Sequence, residues 1–457
     1  MKTAVQVNCK KFKYYYAQEN TLENLDFEIN YGQVTLLSGL SGCGKSTLLS
    51  LINGIIPRVI QGEFEGSIFI DGENSACKSM SQISRKVGSV LQNAESQIIH
   101  SIVEDEIAFG CENFGFTPET IYEEIEKSSS IMEIKKEWKT RTLSGGQKQR
   151  LVTASTLAMK GDILIFDEPL ANLDGRGAKI LLELLKKLAA EGKAILLVEH
   201  RLDVVLPFVD VVWQLKNKRA EKISDKESFL KSQTDIIEDK NENHITLTEN
   251  ALEINELKKS FGNRTILNGI NLNVKKGERI LLCGENGCGK STLMKTIARL
   301  QKADSGIILQ HIDNKCSNRA NKRWFKNCGV VFQNPNYQLF MPSVKDEILF
   351  GTDDKDYALN LADEFELGPL LERHPHSLSE GQKRRVTVCA ILAQKPKLLL
   401  LDEPTVGQDY KTLQNMMSII NNVHRQQENT MISITHDIRC MTALCDRKVN
   451  IYDGVIK

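Results

Sequence analysis

Residues 36–49 read LLSGLSGCGKSTLL, and residues 281–293 read LLCGENGCGKSTL. Each stretch runs from an apolar strand through a glycine-rich turn into the start of a helix, so each fixes a strand–turn–helix unit with a tightly curled turn. Gly39, Gly44, Lys45 and Ser46 keep the spacing G-x-x-x-x-G-K-[ST], and Gly284, Gly289, Lys290 and Ser291 repeat it. In that spacing backbone N–H groups and the helix N-terminus face an anion, the lysine reaches phosphate oxygens and the hydroxyl meets Mg²⁺. The predicted phosphate-binding residues are Gly39, Leu40, Ser41, Gly42, Cys43, Gly44, Lys45, Ser46 and Thr47 in the first copy. In the second they are Gly284, Glu285, Asn286, Gly287, Cys288, Gly289, Lys290, Ser291 and Thr292. The repeat distance is a whole domain, which predicts a tandem duplication and not a solenoid.

A chain of 457 residues has room for two such domains, each with an ample core. Apolar strands alternate with helical patterns in both halves: DILIFDE at 162–168 and AILLVEH at 194–200, then KLLLLDE at 397–403 and TMISITH at 430–436. The class expected is α/β with mainly parallel sheets. After Lys216 the apolar pattern decays into charged sequence, placing the first domain at 1–230, a linker at 231–250 and the second domain at 251–457. Lys plus Arg and Asp plus Glu both number 59, so no basic excess points to nucleic acid. Val204–Leu215, the nearest approach to a long apolar run, is broken by Pro207 and Asp210, so no membrane span of its own is expected. The first residues lack the apolar core of a secretory leader. Eleven cysteines without a C-x-x-C pair or metal-ligand spacing suit a reducing cytosol.

Ordered landmarks succeed each loop. The first half has Gln92 in VLQNAESQ, LSGGQ at 143–147, Asp167 and Glu168 closing an apolar strand, ANLD at 171–174, and His200 closing another. The second has Gln333 in VFQNPNYQ, LSEGQ at 378–382, Asp402 and Glu403, VGQD at 406–409, and His436. Ser144 to Asp167 and Ser379 to Asp402 are the same distance apart in sequence. A carboxylate at the carboxyl end of a buried strand lies where open α/β sheets bind ligands. Asp167 and Asp402 are therefore expected to share Mg²⁺ with Ser46 and Ser291, and Glu168 and Glu403 to orient and deprotonate an attacking water. Pro169 and Pro404 place these acids before a helix start, so that they could also cap the next helix.

This set resembles, twice over, the nucleotide-binding domain of ATP-binding cassette (ABC) proteins, with LSGGQ as the signature and LSEGQ a variant carrying Glu380. The resemblance implies two tandem P-loop domains, each a mainly parallel sheet core with an antiparallel β subdomain and a helical subdomain. It implies an ATPase using ATP and Mg²⁺, with two sites formed head to tail between the halves, which would pair within one chain. The first site would combine Lys45, Ser46, Gln92, Asp167, Glu168 and His200 with Ser144's counterpart Ser379, flanked by Glu380, Gly381 and Gln382. The second would combine Lys290, Ser291, Gln333, Asp402, Glu403 and His436 with Ser144, Gly145, Gly146 and Gln147. Gln92 and Gln333 would touch Mg²⁺ or water, and His200 and His436 the γ-phosphate. Tyr14, with Tyr15 as competitor, and Phe261 match the adenine-stacking position, packing against their own strands being the alternative. Glu380 would bring negative charge near the first triphosphate, so the first site is expected to turn over more slowly.

Second glutamines at Gln97 and Gln338, and the continuations HSIVEDEIAFG and MPSVKDEILFG, are similar to the ATPases of energy-coupling factor (ECF) and cobalt-type importers in their fused form. That implies an integral membrane coupling subunit, a separate substrate-binding membrane subunit, and a peripheral location on the cytoplasmic face of the cell membrane. Ile98, Ile99, Leu339 and Phe340 would line the groove for the coupling subunit, or else pack inside their own domains. Gln333 to Ser379 is six residues shorter than Gln92 to Ser144, which predicts a trimmed second helical subdomain and unlike partner surfaces. Fused ATPases of sugar importers and ribosome-acting ABC ATPases are the alternatives; intact motifs in both halves and a short linker weigh against them.

Overall fold

A computed structural model describes residues 2–40, 42–171, 173, 175–234, 237, 249–312, 315–318 and 321–457. The chain forms two compact units, Met1–Thr234 and Asp235–Lys457. Most of the expected linker lies outside the described residues.

In the first unit the strand that enters the glycine loop, Val34–Gly39, is paired in parallel on both sides, with Ala194–Val198 and with Val211–Lys216. Ile163–Asp167 and Val87–Val90 extend the parallel sheet beyond Ala194–Val198, and Arg219–Ile223 adds an antiparallel edge. Buried on both faces, the inner strands read as unbroken apolar runs. Their alternate residues feed two different cores. Leu36, Leu164, Phe166, Ile195 and Leu197 join a helical layer that includes Ile107, Leu151 and Leu181. Leu37, Ile163, Ile165, Leu196 and Val198 join Val7, Phe12, Phe27, Leu48 and Leu51, which belong to the antiparallel sheet and the loop helix. That second sheet orders Leu22–Asn30, Thr3–Tyr14, Gly62–Ile70 and Glu73–Asn74.

The second unit repeats this plan. Arg279–Cys283 lies between Thr430–Ile434 and Arg447–Tyr452, with Leu398–Asp402 and Cys328–Val331 beyond. The antiparallel sheet is built on Asn250–Phe261. The missing residues come out of the helical layer, as the sequence spacing predicts. Helices Val103–Asn113 and Pro118–Ile131 have 11 and 14 residues, whereas Val344–Leu349 and Lys355–Glu364 have 6 and 10.

Each loop strand ends against its neighbour's main chain. A Cβ on Gly39 would stand 2.5 Å from the Leu215 carbonyl oxygen, and one on Gly284 2.4 Å from that of Ile451. Both residues have positive φ, 153° and 143°, and Gly44 and Gly289 come next at 108° and 110°. Only glycine fits that combination of close approach and left-handed backbone.

Gly284→Ala is therefore expected to lower the unfolding free energy of the second unit by about 1–3 kcal/mol through strain alone, measured by denaturant titration. Leu164→Ala, which empties a fully buried position, should cost the first unit about 2–5 kcal/mol in the same experiment.

Candidate functional site

The loop closes on its own lysine. Lys45 Nζ donates to the carbonyls of Gly39 at 2.8 Å and Leu40 at 2.9 Å; Lys290 Nζ does the same to Gly284 at 2.7 Å and Glu285 at 2.9 Å. Helices Lys45–Ile52 and Lys290–Ile297 start immediately after Gly44 and Gly289, so their free N–H groups open onto the loop. Gly42 and Gly287 also take positive φ at matching places; Ser41 lies outside the described residues. Among the described residues the two loops share these features despite their differing sequences, LSGC and ENGC.

Acidic strands end beside these helices. Ser46 Oγ donates to Asp167 Oδ2 at 3.4 Å, and the Ser291 hydroxyl acts to lower the Asp402 carboxyl. Burial, reinforced by the charge of Glu168, pushes the Asp167 carboxyl up to about 7; burial likewise raises Asp402. A hydroxyl and a carboxylate side by side, with oxygen donors only, fit Mg²⁺. A cation there would relieve the cost of burying the charge.

Glu168 and Glu403 come directly after, with φ of 49° and 52°, and their amides donate to the carbonyls of Val198 and Ile434 at 2.9 Å. Non-glycine residues seldom hold a left-handed backbone, and here the turn swings the acid off its strand toward the histidine that ends the next one. In the first unit Glu168 accepts Gln92 Nε2 at 2.9 Å and faces His200 Nε2 at 3.2 Å. Burial opposes its ionisation, but His200, Lys45 and Gln92 together hold its carboxyl below the ordinary range. In the second unit Glu403 Oε1 stands 3.6 Å from His436 Nε2, beyond hydrogen-bond distance. Burial and the charge of Asp402 push that carboxyl up to about 8. The first histidine is 9% exposed and the second 31%.

Both signature serines cap helices. Ser144 Oγ accepts the Gln147 amide at 3.3 Å while Gln147 Oε1 accepts the Ser144 amide at 2.9 Å; Ser379 and Gln382 exchange the same pair at 3.3 and 3.0 Å. Gly145 and Gly146, like Glu380 and Gly381, form the first turn of each capped helix. Glu380 Oε1 lies 2.9 Å from Lys383 Nζ, so its charge is matched within its own helix. The reason for expecting it to slow the first site is thereby removed. Gly381 packs under the VGQD turn, its carbonyl accepting Gln408 Nε2 at 2.8 Å, and an alanine Cβ there would meet Gly407 O at 2.5 Å. Asn172 and Asp174 of ANLD lie outside the described residues.

The aromatic candidates diverge. Tyr14 is half-buried, bonded through its hydroxyl to Thr47 Oγ1 at 2.8 Å and stacked beneath Tyr16 at 5.1 Å, while Tyr16 is 78% exposed. Phe261 is half-exposed with Lys259 Nζ 5.3 Å over its ring.

Sequence reasoning named Gln97 and Gln338 without giving them work. Each side-chain amide pairs with an edge strand. Gln97 accepts the Leu91 amide at 2.7 Å and donates to Ser89 O at 3.1 Å; Gln338 does so with Phe332 at 2.8 Å and Val330 at 2.6 Å. It missed Glu106 and Glu347, whose Oε2 atoms accept two successive amides each, Ile99 with His100 and Phe340 with Met341. The shared DEI at 105–107 and 346–348 was the available signal. It missed Glu199, a buried acid beside His200, and Arg384, whose buried guanidinium donates to the main-chain carbonyls of Phe332 and Gln333. Of the four apolar groove candidates, Leu339 joins the core of the second unit and Ile98 packs against that of the first, whereas Ile99 is 69% and Phe340 64% exposed. Phe340 meets the half-exposed Phe350 edge to face at 5.2 Å.

A family model described as ABC transporter matches residues 22–171 and 267–406. The chain is 31% identical to a putative ABC transporter ATP-binding protein of Treponema denticola, covering 99% of this chain and 96% of that one. It is 32% identical to the putative HMP/thiamine import ATP-binding protein YkoD of Bacillus subtilis, covering 97% and 88%. Among solved structures, RNase-L inhibitor superposes with a TM-score of 0.66 at 19% identity over 98% of this chain and 89% of that one, a likeness of fold. No helix among the described residues is long and apolar enough to cross a membrane. Paired phosphate loops, buried acid strands and capped signature helices, matched by family and relatives across the chain, make it a member of the ABC transporter family: an ATPase with two tandem ABC nucleotide-binding domains.

Proposed function

We propose that this ATPase is the energy-coupling subunit of a membrane importer of the ECF type, carrying a vitamin or a transition-metal ion. The observation that carries the reading is the pair of apolar side chains held outward just past the glutamine segments. Ile99 and Phe340 are exposed although buried Glu106 and Glu347 fix the backbone that bears them. Fixed, exposed apolar groups suit a protein partner. The relative named for HMP/thiamine import supports the importer class. The partners are an integral membrane coupling subunit and a separate substrate-binding membrane subunit, which places the protein peripherally on the cytoplasmic face of the cell membrane.

In this reading Lys45 and Lys290 bind the β- and γ-phosphates against the loop N–H groups. Ser46 with Asp167, and Ser291 with Asp402, hold Mg²⁺, which neutralises phosphate charge when bound; Gln92 and Gln333 complete its surroundings. Glu168 and Glu403 orient water and take its proton as the water oxygen bonds to the γ-phosphorus and the bond to the β-phosphate oxygen breaks, leaving ADP. His200 and His436 steady the γ-phosphate. Tyr14 and Phe261 flank adenine. Binding and loss of the γ-phosphate would then alternate two states to which the membrane subunit binds unequally.

The double variant Glu168→Gln/Glu403→Gln should lose about a hundred- to ten-thousandfold in ATPase rate, read by phosphate release; an unchanged rate would reject both acids. A mild-detergent pulldown from native membranes should bring down a multi-span subunit with a small membrane protein, whose identity would name the cargo. Ile99→Ser/Phe340→Ser should cut that recovery at least about tenfold while basal ATPase persists. Ribosomes in the eluate would replace the importer reading and leave the ATPase chemistry standing.

A further inference from the structure

The two units hold their acid–histidine pairs with different hydrogen bonds, and an exchange at two positions accounts for the difference. In the first unit Glu199 succeeds the buried strand Ala194–Val198 and is 3% exposed. Its Oε1 accepts the Leu170 amide at 2.8 Å and its Oε2 the His200 amide at 3.1 Å. The carboxylate therefore ties the segment after Glu168 to the one that carries His200. With the His200 amide already taken, both oxygens of Glu168 face side chains, Gln92 Nε2 at 2.9 Å and His200 Nε2 at 3.2 Å.

In the second unit Thr435 stands in place of Glu199 and Thr405 in place of Leu170. Their hydroxyls bond to each other at 2.8 Å, and Thr435 Oγ1 also accepts the Asp437 amide at 3.0 Å. The His436 amide turns instead to the acid, donating to Glu403 Oε2 at 3.3 Å, and the imidazole is left 3.6 Å from Oε1. One acceptor has been moved from a bystander carboxylate onto the acid itself.

We propose that Glu199 is a positioning residue that, by accepting the His200 amide, reserves the Glu168 carboxylate for Gln92 and the imidazole, and so makes the first unit's site the faster of the two in hydrolysis. This rests on the assignment of Glu168 and Glu403 as the catalytic acids. A third buried carboxyl next to Glu168 is unfavourable, since burial and the charge of Glu168 both push Glu199 upward. Two main-chain donors offset that cost, which a purely structural contact would not require, because the hydroxyl pair of the second unit satisfies the same place without charge. The order of rates is the reverse of the one expected from Glu380.

The test transplants each solution into the other unit. Leu170→Thr/Glu199→Thr installs a hydroxyl pair the fold already accommodates, so it should unfold near the wild-type temperature while kcat for ATP falls roughly tenfold and KM stays within about twofold. Thr405→Leu/Thr435→Glu should raise kcat, and Glu168→Gln should cost more than Glu403→Gln. Wild-type kcat in the first swap, a loss carried by KM alone, or equal losses in the two Gln variants would overturn the inference. Full activity in both Gln variants would instead reject the acids on which it rests.

Discussion

A main-chain carbonyl from a neighbouring strand sets the position of each phosphate loop. Leu215 O and Ile451 O close on Gly39 and Gly284 so nearly that no side chain fits between, and the loop must leave the sheet in a left-handed turn. That contact exists because the loop strand is paired in parallel with the strand that carries the carbonyl. Parallel pairing puts the carboxyl ends of three adjacent strands in one place, and those ends carry the loop, the acids and the histidine. Lysine, serine, aspartate and glutamate converge because the sheet is ordered as it is, not because they are near in sequence.

The electrostatic problem at that edge is how to keep carboxylates ionised in a buried place. Two consecutive acids repel each other, and burial penalises both. Asp167 and Asp402 are left high, as suits groups that would meet a cation, with lysine charge, a serine hydroxyl and, at Asp402, the Arg384 charge in partial compensation. Their neighbours are treated unequally. Glu168 is drawn down by an imidazole and a glutamine amide, whereas Glu403 has a single main-chain donor and stays high. The left-handed turn common to both makes such contacts possible, and the surrounding residues decide which are made.

Backbone support and apolar exposure meet in the segments after the glutamines. Gln97 and Gln338 pair their amides with strands that would otherwise be open sheet edges, and Glu106 and Glu347 gather two amides apiece from the segment between glutamine and helix. Polar side chains thereby do what a further strand would do. The chain they hold carries one apolar residue inward and the next outward, Ile98 before Ile99 and Leu339 before Phe340. In the second unit that outward residue meets the ring of Phe350 edge to face.

The sequence by itself determined the duplication, the fold class and most of the atoms at the edge, because strands buried on both faces read as apolar runs and a loop that wraps phosphate admits few spellings. Spacing also located the loss in the second helical layer, since residues missing between two fixed landmarks must come from the segment joining them. Tertiary structure alone decided how the side chains are employed. The charge of Glu380 proved to be matched by Lys383, three residues on, and Tyr14 proved to be tied to Thr47 beneath an exposed Tyr16. Glu199 and Arg384 could be read as letters but not as partners, for Glu199 joins the adjacent His200 amide to the Leu170 amide 29 residues away, and Arg384 reaches carbonyls 51 and 52 residues away. Hydrogen bonds to backbone leave no trace in residue type, because every residue but proline offers the same donor and acceptor.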